Sequence, residues 1–424
     1  MSLFFKNTPK RRRDIFAAID IGSSKICCAI ARVDERANGE VLRIIGSGYQ
    51  LSQGVKNSII TNLEALEDSI LNAVHSAEQM AKETITEVYV NIAASCTQSH
   101  TVEVELDLGG SPVEDRHIRQ LLSLGRSGFN TEVSQIIHIL PITYAIDNEV
   151  GVKDPRGLYG KKLMASLHVV SATNGIMQNI ENCIARCHLD VIGFVVSPYT
   201  SGLATLVDDE LELGVTVIDV GANSCSIASF LDGSLVHVDS ISLGGAHITS
   251  DIARGLSTPL VQAERLKTLY GTTITSLADE RESILVPQLG EGGNGGPNQV
   301  SKALLTHVVK ARADEILELT WKRLQQSGMD RLVGQRIVLT GGCSQLPGLR
   351  ELAAHKWQRQ IRIGNPIGFS GGGDVVSTPM FSTCGGLLKF AMRDYLGEEH
   401  TIQPVYKTGG SVMGRVMGWI RENF

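Results

Sequence analysis

The sequence has no apolar run long enough to cross a membrane as a helix, which takes about 18 residues or more. We also expect no secretory leader. The first residues, MSLFFKNTPKRRRD, place apolar side chains before charged ones, and a leader needs the reverse order. The basic run at residues 10–13 is typical of a solvated chain start, and it is also compatible with an acidic membrane surface. We expect the protein to remain in the cytoplasm.

Neither a basic surplus nor a metal-type cysteine pattern is present. Lys and Arg number 39 against 45 Asp and Glu, a net charge of −6, which argues against nucleic acid as the main partner. The eight cysteines include no CxxC pair. Cys183, Cys187 and His188 are zinc-ligand types, but residues 176–189 have the spacing of an amphipathic helix, which favours a structural role.

The sequence does contain an internal repeat of strand, turn and strand. Residues 20–23 (Asp-Ile-Gly-Ser) and 219–222 (Asp-Val-Gly-Ala) each follow a β-branched strand and precede a second strand. Each unit predicts a hairpin tip with exposed backbone N–H groups, and two such tips can grip a polyphosphate from both sides. One tip alone is more often an ordinary tight turn. A glycine pair at 341–342, where a base can stack, makes the combination specific for a nucleotide.

The residue types in these turns suit a phosphate cradle. Gly22 has no Cβ to obstruct backbone donors, and Ser23 and Ser24 offer small hydroxyls. Lys25 can offset negative charge, and the carboxylate of Asp20 can hold hydrated Mg²⁺. The second turn supplies the matching set Asp219, Gly221, Ala222, Asn223 and Ser224.

Three segments, AIDIGSSK, VIDVGANS and VLTGGCSQLPGL, resemble the two phosphate loops and the adenosine loop of the actin, hexokinase and heat-shock chaperone superfamily. Within it, the chain is similar to the FtsA family of bacterial cell-division proteins over nearly its whole length. Residues 140–160 (LPITYAIDNEVGVKDPRGLYG) carry this resemblance best, because they fall in the subdomain that FtsA inserts in its first lobe. Residues 179–189, 250–271 and 362–366 add to it.

The resemblance implies an α/β, actin-like fold of two lobes, with an inserted α+β subdomain in the first lobe and a C-terminal amphipathic helix. The predicted bounds are 1–84, 163–205 and 374–396 for the first lobe, 85–162 for the insert, 206–245 and 321–373 for the second lobe, 246–320 for a helical FtsZ-binding subdomain, 397–410 for a linker and 411–424 for the helix.

The resemblance also implies ATP and Mg²⁺ as cofactors, with Asp20 and Asp219 holding the ion through water. It places Glu264 and Lys267 beside the ribose and adenine, projecting from one helix face at spacing i, i+3. Without the family, these two residues would be interpreted as a surface ion pair. The other residues that it brings near the nucleotide are Gly245, Gly341, Gly342 and Cys343.

The second phosphate loop departs from the family pattern. Where the family has further glycines, a threonine and then an acidic residue, this chain has residues 222–226 (Ala-Asn-Ser-Cys-Ser), with Ser226 at the acidic position. The hydroxyl of Ser224 remains for phosphate, but a carboxylate near the γ-phosphate is missing. We predict ATP binding with slow turnover, which a steady-state rate above about 1 s⁻¹ would refute.

The last residues, GGSVMGRVMGWIRENF, have the pattern of an amphipathic membrane helix. Arginines flank the apolar stripe, and a tryptophan at its edge suits the headgroup region. A single tail should bind weakly, whereas several tails on one polymer bind firmly through effective concentration. A helix docked on the protein's own body is the alternative. The predicted membrane-facing residues are Val412, Met413, Val416, Met417, Trp419, Ile420 and Phe424.

The family further implies partners and a location. The partners are the C-terminal peptide of FtsZ, other copies of the chain in a polymer and later division proteins, at the cytoplasmic face of the inner membrane at the division site. Arg312 and Glu315 match positions near the FtsZ groove, although solvated residues on a helix face are nearly as good an interpretation. Two alternatives of the same fold are a small-molecule kinase and a scaffold such as a pilus-assembly ATPase.

Overall fold

The computed structural model describes residues 15–36, 39–129, 132–276, 279–288 and 298–396. The predicted linker (397–410) and terminal helix (411–424) lie outside the described residues. The described strands are β1 (Ile15–Ile21), β2 (Lys25–Arg36), β3 (Gly39–Leu51), β4 (Val55–Lys56), β5 (Ile59–Ile60), β6 (Glu87–Ile92), β7 (Thr97–Asp107), β8 (Ser134–Ile146), β9 (Glu149–Val152), β10 (Lys162–Thr173), β11 (Asp190–Val196), β12 (Val215–Val220), β13 (Cys225–Leu231), β14 (Ser234–Ile241), β15 (Ser283–Val286), β16 (Asn298–Ser301), β17 (Arg336–Thr340), β18 (Gln360–Ile363) and β19 (Phe369–Gly371). The described helices are α1 (Leu63–Ala81), α2 (Asp115–Ser127), α3 (Asn174–Arg186), α4 (Ser197–Thr205), α5 (Asp208–Leu213), α6 (Gly245–Gly255), α7 (Leu260–Tyr270), α8 (Lys302–Gln326), α9 (Met329–Leu332), α10 (Leu349–Trp357) and α11 (Ser382–Leu396).

Two sheets repeat one arrangement, as the paired strand–turn–strand motifs predict. The first has the order β11-β6-β1-β2-β3-β19 and the second β14-β13-β12-β17-β18. In each, the strand that carries the aspartate pairs antiparallel with the next strand and parallel with a later one. Asp20 lies opposite Cys27, and Asp219 lies opposite Ser226. The β-branched runs of β1 and β12 suit strands that are covered on both faces.

Helices α1 and α3 cover one face of the first sheet. Asn62 caps helix α1, because its side chain accepts a hydrogen bond from the Ala65 backbone N–H at 3.2 Å. Gly48 of β3 lets α1 approach closely, since a Cβ there would lie 1.9 Å from a backbone oxygen of the helix. Cys183 of α3 and Cys187, directly after it, are buried in the apolar core between these helices and the sheet.

The inserted subdomain is a four-stranded sheet, β7-β10-β8-β9, packed on α2. The predicted bounds place β6 in the insert and β10 in the first lobe. Strand pairing indicates the opposite for both strands. β6 pairs with β1, Ala18 lying opposite Tyr89, whereas β10 pairs along its length with β7 and β8. We therefore propose that the insert runs from β7 to β10, residues 97–173, instead of 85–162. The other domain bounds stay predictions.

Two helices, α4 and α11, lie between the sheets of the two lobes. Helix α4 packs against β11, β12 and β13, and α11 packs against β1, β2 and β6. The helices cross closely at Gly386 of α11, because a Cβ there would lie 1.7 Å from the carbonyl oxygen of Thr200 in α4. This crossing is therefore one of the connections between the two sheets, and β14 also contacts β7 and β8 of the insert.

Helices α6, α7 and α8 build the predicted helical region, around a core that includes Ile252, Ala263 and Val309. The sequence did not predict the small hairpin of β15 and β16 that accompanies them. No helix within the described ranges is long and apolar enough to span a bilayer.

Candidate functional site

The first predicted phosphate turn is a tight connection between β1 and β2. The backbone N–H of Gly22 donates to the carbonyl oxygen of Lys25 at 3.0 Å, and a Cβ on Gly22 would lie 2.8 Å from that oxygen. Ser23 and Ser24 therefore form the tip of the turn. The amino group of Lys25 reaches across to donate to the carbonyl oxygen of Met380, just before α11.

The second turn repeats this geometry. The N–H of Gly221 donates to the carbonyl oxygen of Ser224 at 3.0 Å. Two further bonds tie the turn to the start of α6, because Gly245 N–H donates to Gly221 O at 3.0 Å and Ala246 N–H donates to Ala222 O at 2.7 Å. Gly245, which the resemblance places near the nucleotide, therefore lies beside the second turn.

Two aspartates, Asp20 near the end of β1 and Asp219 near the end of β12, interact electrostatically. Burial raises the pKa of Asp20 to about 6, while Lys25 acts to lower it and Asp219 to raise it. Burial also raises the pKa of Asp219, against hydrogen bonds from Ser201 and Thr383 and the charge of Lys25. One lysine therefore faces two carboxylates, and the site has an excess of negative charge.

The residues predicted to lie beside a nucleoside come together on α6, α7 and the loop after β17. Lys267 Nζ contacts Glu264 Oε2 at 2.7 Å, the hydroxyl of Thr249 at 2.9 Å and the carbonyl oxygen of Gly245 at 3.2 Å. A Cβ on Gly245 would lie 3.0 Å from the sulfur of Cys343. The predicted i, i+3 pair therefore lies beside Gly245, which in turn lies beside Cys343.

The glycine pair, Gly341 and Gly342, lies next to the carboxylate of Asp219. Gly341 has φ 83°, in the region that glycine alone adopts readily, and a Cβ there would lie 2.1 Å from Asp219 Oδ1. Gly342 lies beside Met380, the residue whose carbonyl accepts from Lys25. Contacts thus connect both turns and the glycine pair.

Three contacting residues were missed from the sequence. Ser201 of α4 and Thr383 of α11 donate to Asp219 Oδ2 at 2.6 and 3.2 Å. Asn57, in the turn between β4 and β5, accepts from the side-chain amide of Asn223 at 3.2 Å, which joins the first lobe to the second phosphate turn. Only Asn57 had a local signal, because asparagine between two short strands is typical of a turn.

The predicted FtsZ-contacting pair also has partners within the chain. Arg312 Nη1 lies 2.5 Å from Glu315 Oε2, and its Nε lies 2.5 Å from Asp251 Oδ2 on α6. Arg312 is only about one quarter exposed, since its side chain has 23% relative exposure. Arg312 therefore connects α8 to α6, and Glu315 pairs with it on α8.

Two solved structures share this architecture. The PilM–PilN type IV pilus biogenesis complex is similar with a TM-score of 0.63 at 15% identity, over 88% of this chain and 98% of that one. MreB5 of Spiroplasma citri bound to ADP is similar with a TM-score of 0.54 at 13% identity, over 91% and 99%. The fold is therefore that of the actin-like class, as the sequence predicted.

Sequence relatives narrow this class to one family. The family model described as Cell division protein FtsA matches residues 216–386, and the one described as SHS2 domain inserted in FTSA matches 95–171. Cell division protein FtsA of Rhizobium meliloti (strain 1021) is 41% identical, over 99% of this chain and 97% of that protein. The Pseudomonas aeruginosa protein of that name is 32% identical, over 97% and 98%. This chain belongs to the FtsA family, and its role is in cell division.

Proposed function

We propose that this chain binds ATP, polymerises, binds the C-terminal peptide of FtsZ and anchors the division ring to the inner membrane, where it recruits later division proteins. The observation that carries nucleotide binding is the convergence of both turns, the Glu264–Lys267 pair and the glycine pair on one site. MreB5 of Spiroplasma citri, of the same fold, has been solved with ADP and with AMPPNP.

The site fits a nucleotide that carries a divalent cation. Asp20 is buried and Asp219 is partly buried, and Lys25 alone does not neutralise them. Hydrated Mg²⁺ prefers such carboxylate oxygens together with substrate phosphates. We infer that the two aspartates hold Mg²⁺ through water and that both turns hold the phosphates. Ribose and adenine lie against Gly245, Glu264, Lys267 and residues 341–343.

ATP turnover should be slow. Ser226 lies opposite Asp219 in the hairpin and is buried, at the position where the family has an acidic residue. A serine there cannot orient water as a carboxylate does. Isothermal titration should show ATP binding, and a phosphate-release assay should give a rate below about 1 s⁻¹. A faster rate contradicts the slow-turnover proposal, and absent binding contradicts the nucleotide site.

The terminal residues should attach the protein to membranes. In liposome co-pelleting with ATP and anionic lipid, the full chain should pellet and a version that ends at Gly410 should stay in solution. Trp419→Glu should also lose the membrane, because it places a charge in the apolar stripe. Glu422→Gln, away from the stripe, should pellet like the wild type. Equal behaviour of the full and shortened chains would favour a helix docked on the protein's own body.

FtsZ binding is proposed for the surface beside Arg312. Arg312→Glu should abolish binding of the FtsZ C-terminal peptide in fluorescence anisotropy, because it reverses charge next to Asp251 and Glu315. Lys322→Glu, an exposed charge reversal farther along α8, should bind the peptide normally. Asp251→Asn breaks the same ion pair without reversing the arginine. Binding that survives Arg312→Glu contradicts the assignment. If Asp251→Asn by itself also loses peptide binding, the loss is due to altered packing and not to the reversed charge of the arginine.

A further inference from the structure

Asp219 is held by two hydroxyls that come from different helices. Its Oδ2 accepts from Ser201 Oγ at 2.6 Å and from Thr383 Oγ1 at 3.2 Å, and the two hydroxyls lie 3.2 Å apart. Ser201 is 0% exposed and Thr383 is 9% exposed. The three groups form one network with buried hydroxyls and a partly buried carboxylate, in which Oδ2 already accepts two hydrogen bonds.

The second oxygen of Asp219 points toward the glycine pair. A Cβ at Gly341 would lie 2.1 Å from Oδ1, so glycine leaves room at that position. Asp20 and Lys25 act on the same region. A carboxylate with one oxygen fixed by hydroxyl donors can present only its other oxygen to the water shell of a cation.

We propose that Ser201 and Thr383 are positioning residues, which orient Asp219 so that Oδ1 meets the water shell of nucleotide-bound Mg²⁺. This inference rests on the proposed ATP binding. Outer partners of this kind orient a ligand group without touching the ion themselves. Because α4 and α11 hold the lobes together, the orientation of Asp219 is coupled to how the two lobes are packed.

A second buried hydroxyl pair, whose threonine lies on β12 as Asp219 does, provides the control. Thr216 Oγ1 and Ser229 Oγ lie 3.1 Å apart, are 2% and 0% exposed, and bond to each other across β12 and β13. Thr216→Val removes one buried hydroxyl, as Thr383→Val does, but its partner is a serine rather than a carboxylate. It should lower the melting temperature without altering the response to Mg²⁺.

The test compares ATP affinity of the full chain with Mg²⁺ and with EDTA, by isothermal titration. Ser201→Ala and Thr383→Val should each reduce the gain in affinity due to Mg²⁺ by about tenfold, with affinity in EDTA within about twofold of wild type. Thr383→Ser keeps the hydroxyl and should keep the gain.

Each other outcome overturns the inference in a recognisable way. If wild type binds ATP with a Mg²⁺-dependent gain that both variants retain, the positioning role is wrong and ATP binding stands. If Thr216→Val or Thr383→Ser loses as much of the Mg²⁺-dependent gain in ATP affinity as Thr383→Val does, the loss reflects packing and not the hydroxyl. If wild type binds no ATP, the inference and the proposed nucleotide site both fail.

Discussion

Gly341→Ala is expected to weaken ATP binding by about 100-fold or more, whereas Gly373→Ala leaves ATP affinity within about twofold of wild type. The two glycines have nearly the same backbone conformation, φ 83° and ψ 164° for Gly341 and φ 74° and ψ −171° for Gly373. An alanine in this region costs about 1–3 kcal/mol of strain at either position. The stability lost to backbone strain is therefore similar for the two variants.

What separates the two variants is the space around the new methyl group. At Gly341 the Cβ would lie 2.1 Å from Asp219 Oδ1 and 2.8 Å from the carbonyl oxygen of Val220, whereas at Gly373 nothing lies within 4 Å. Asp219 is fixed by hydroxyls from α4 and α11, so it cannot move away without breaking those bonds. The strand end or the glycine loop must shift, and the nucleotide site shifts with it.

Isothermal titration with ATP and differential scanning fluorimetry of both variants check this prediction. The melting temperature of Gly341→Ala should fall further than that of Gly373→Ala, because the clash adds to the backbone strain, and only Gly341→Ala should lose ATP. Equal ATP affinities of the two folded variants would show that the glycine pair does not shape the nucleotide site.

The parts of the site that could be predicted from sequence are those made by neighbouring residues. The turn at Gly22 closes on Lys25 and the turn at Gly221 closes on Ser224, each within four residues, so turn chemistry alone predicts them. The cap of α1 at Asn62 is equally local. The pair of Glu264 and Lys267 depended on the family, because i, i+3 spacing is common on any exposed helix.

The parts that could not be predicted depend on contacts between distant segments. Thr383 and Asp219 are 164 residues apart, and Asn57 and Asn223 are 166 apart, so no local pattern marks either contact. Strand β6 was assigned to the wrong subdomain for a related reason. Its alternation identifies a strand, but its partner β1 is chosen by packing over a long sequence separation.

Lowering the pH from 7.5 to 5 is expected to reduce the free energy of unfolding by about 2–3 kcal/mol. Burial lowers the pKa of His138 to about 3, with a smaller contribution from His168. Burial also lowers the pKa of His168 to about 3, assisted by His237 and His100. In the unfolded chain these rings take up protons below about 6.5, so folding loses stability as the pH falls from there toward 3.

The magnitude follows from the two opposing sets of groups. At pH 5, which is about 1.5 pH units below the ordinary histidine pKa of about 6.5, keeping each buried histidine neutral costs about 2 kcal/mol. The pair therefore costs about 4 kcal/mol. Asp20 opposes this, because its pKa of about 6 lets the folded state take up a proton first and gain about 1.4 kcal/mol at pH 5. Asp219, whose pKa burial also raises, acts in the same direction as Asp20. The two histidines outweigh Asp20, so we expect stability to fall.

His168→Gln should remove about 2 kcal/mol of this loss, measured by urea denaturation at pH 7.5 and pH 5. His75→Gln, the same substitution on the exposed face of α1, should retain the wild-type dependence. His168 bonds to Ser99 of β7, whose hydroxyl accepts from Val238 N–H of β14, so the acid effect should also appear as faster amide exchange between the insert and the second lobe. If the His168→Gln chain loses as much stability between pH 7.5 and pH 5 as wild type does, groups other than His168 bind the protons responsible.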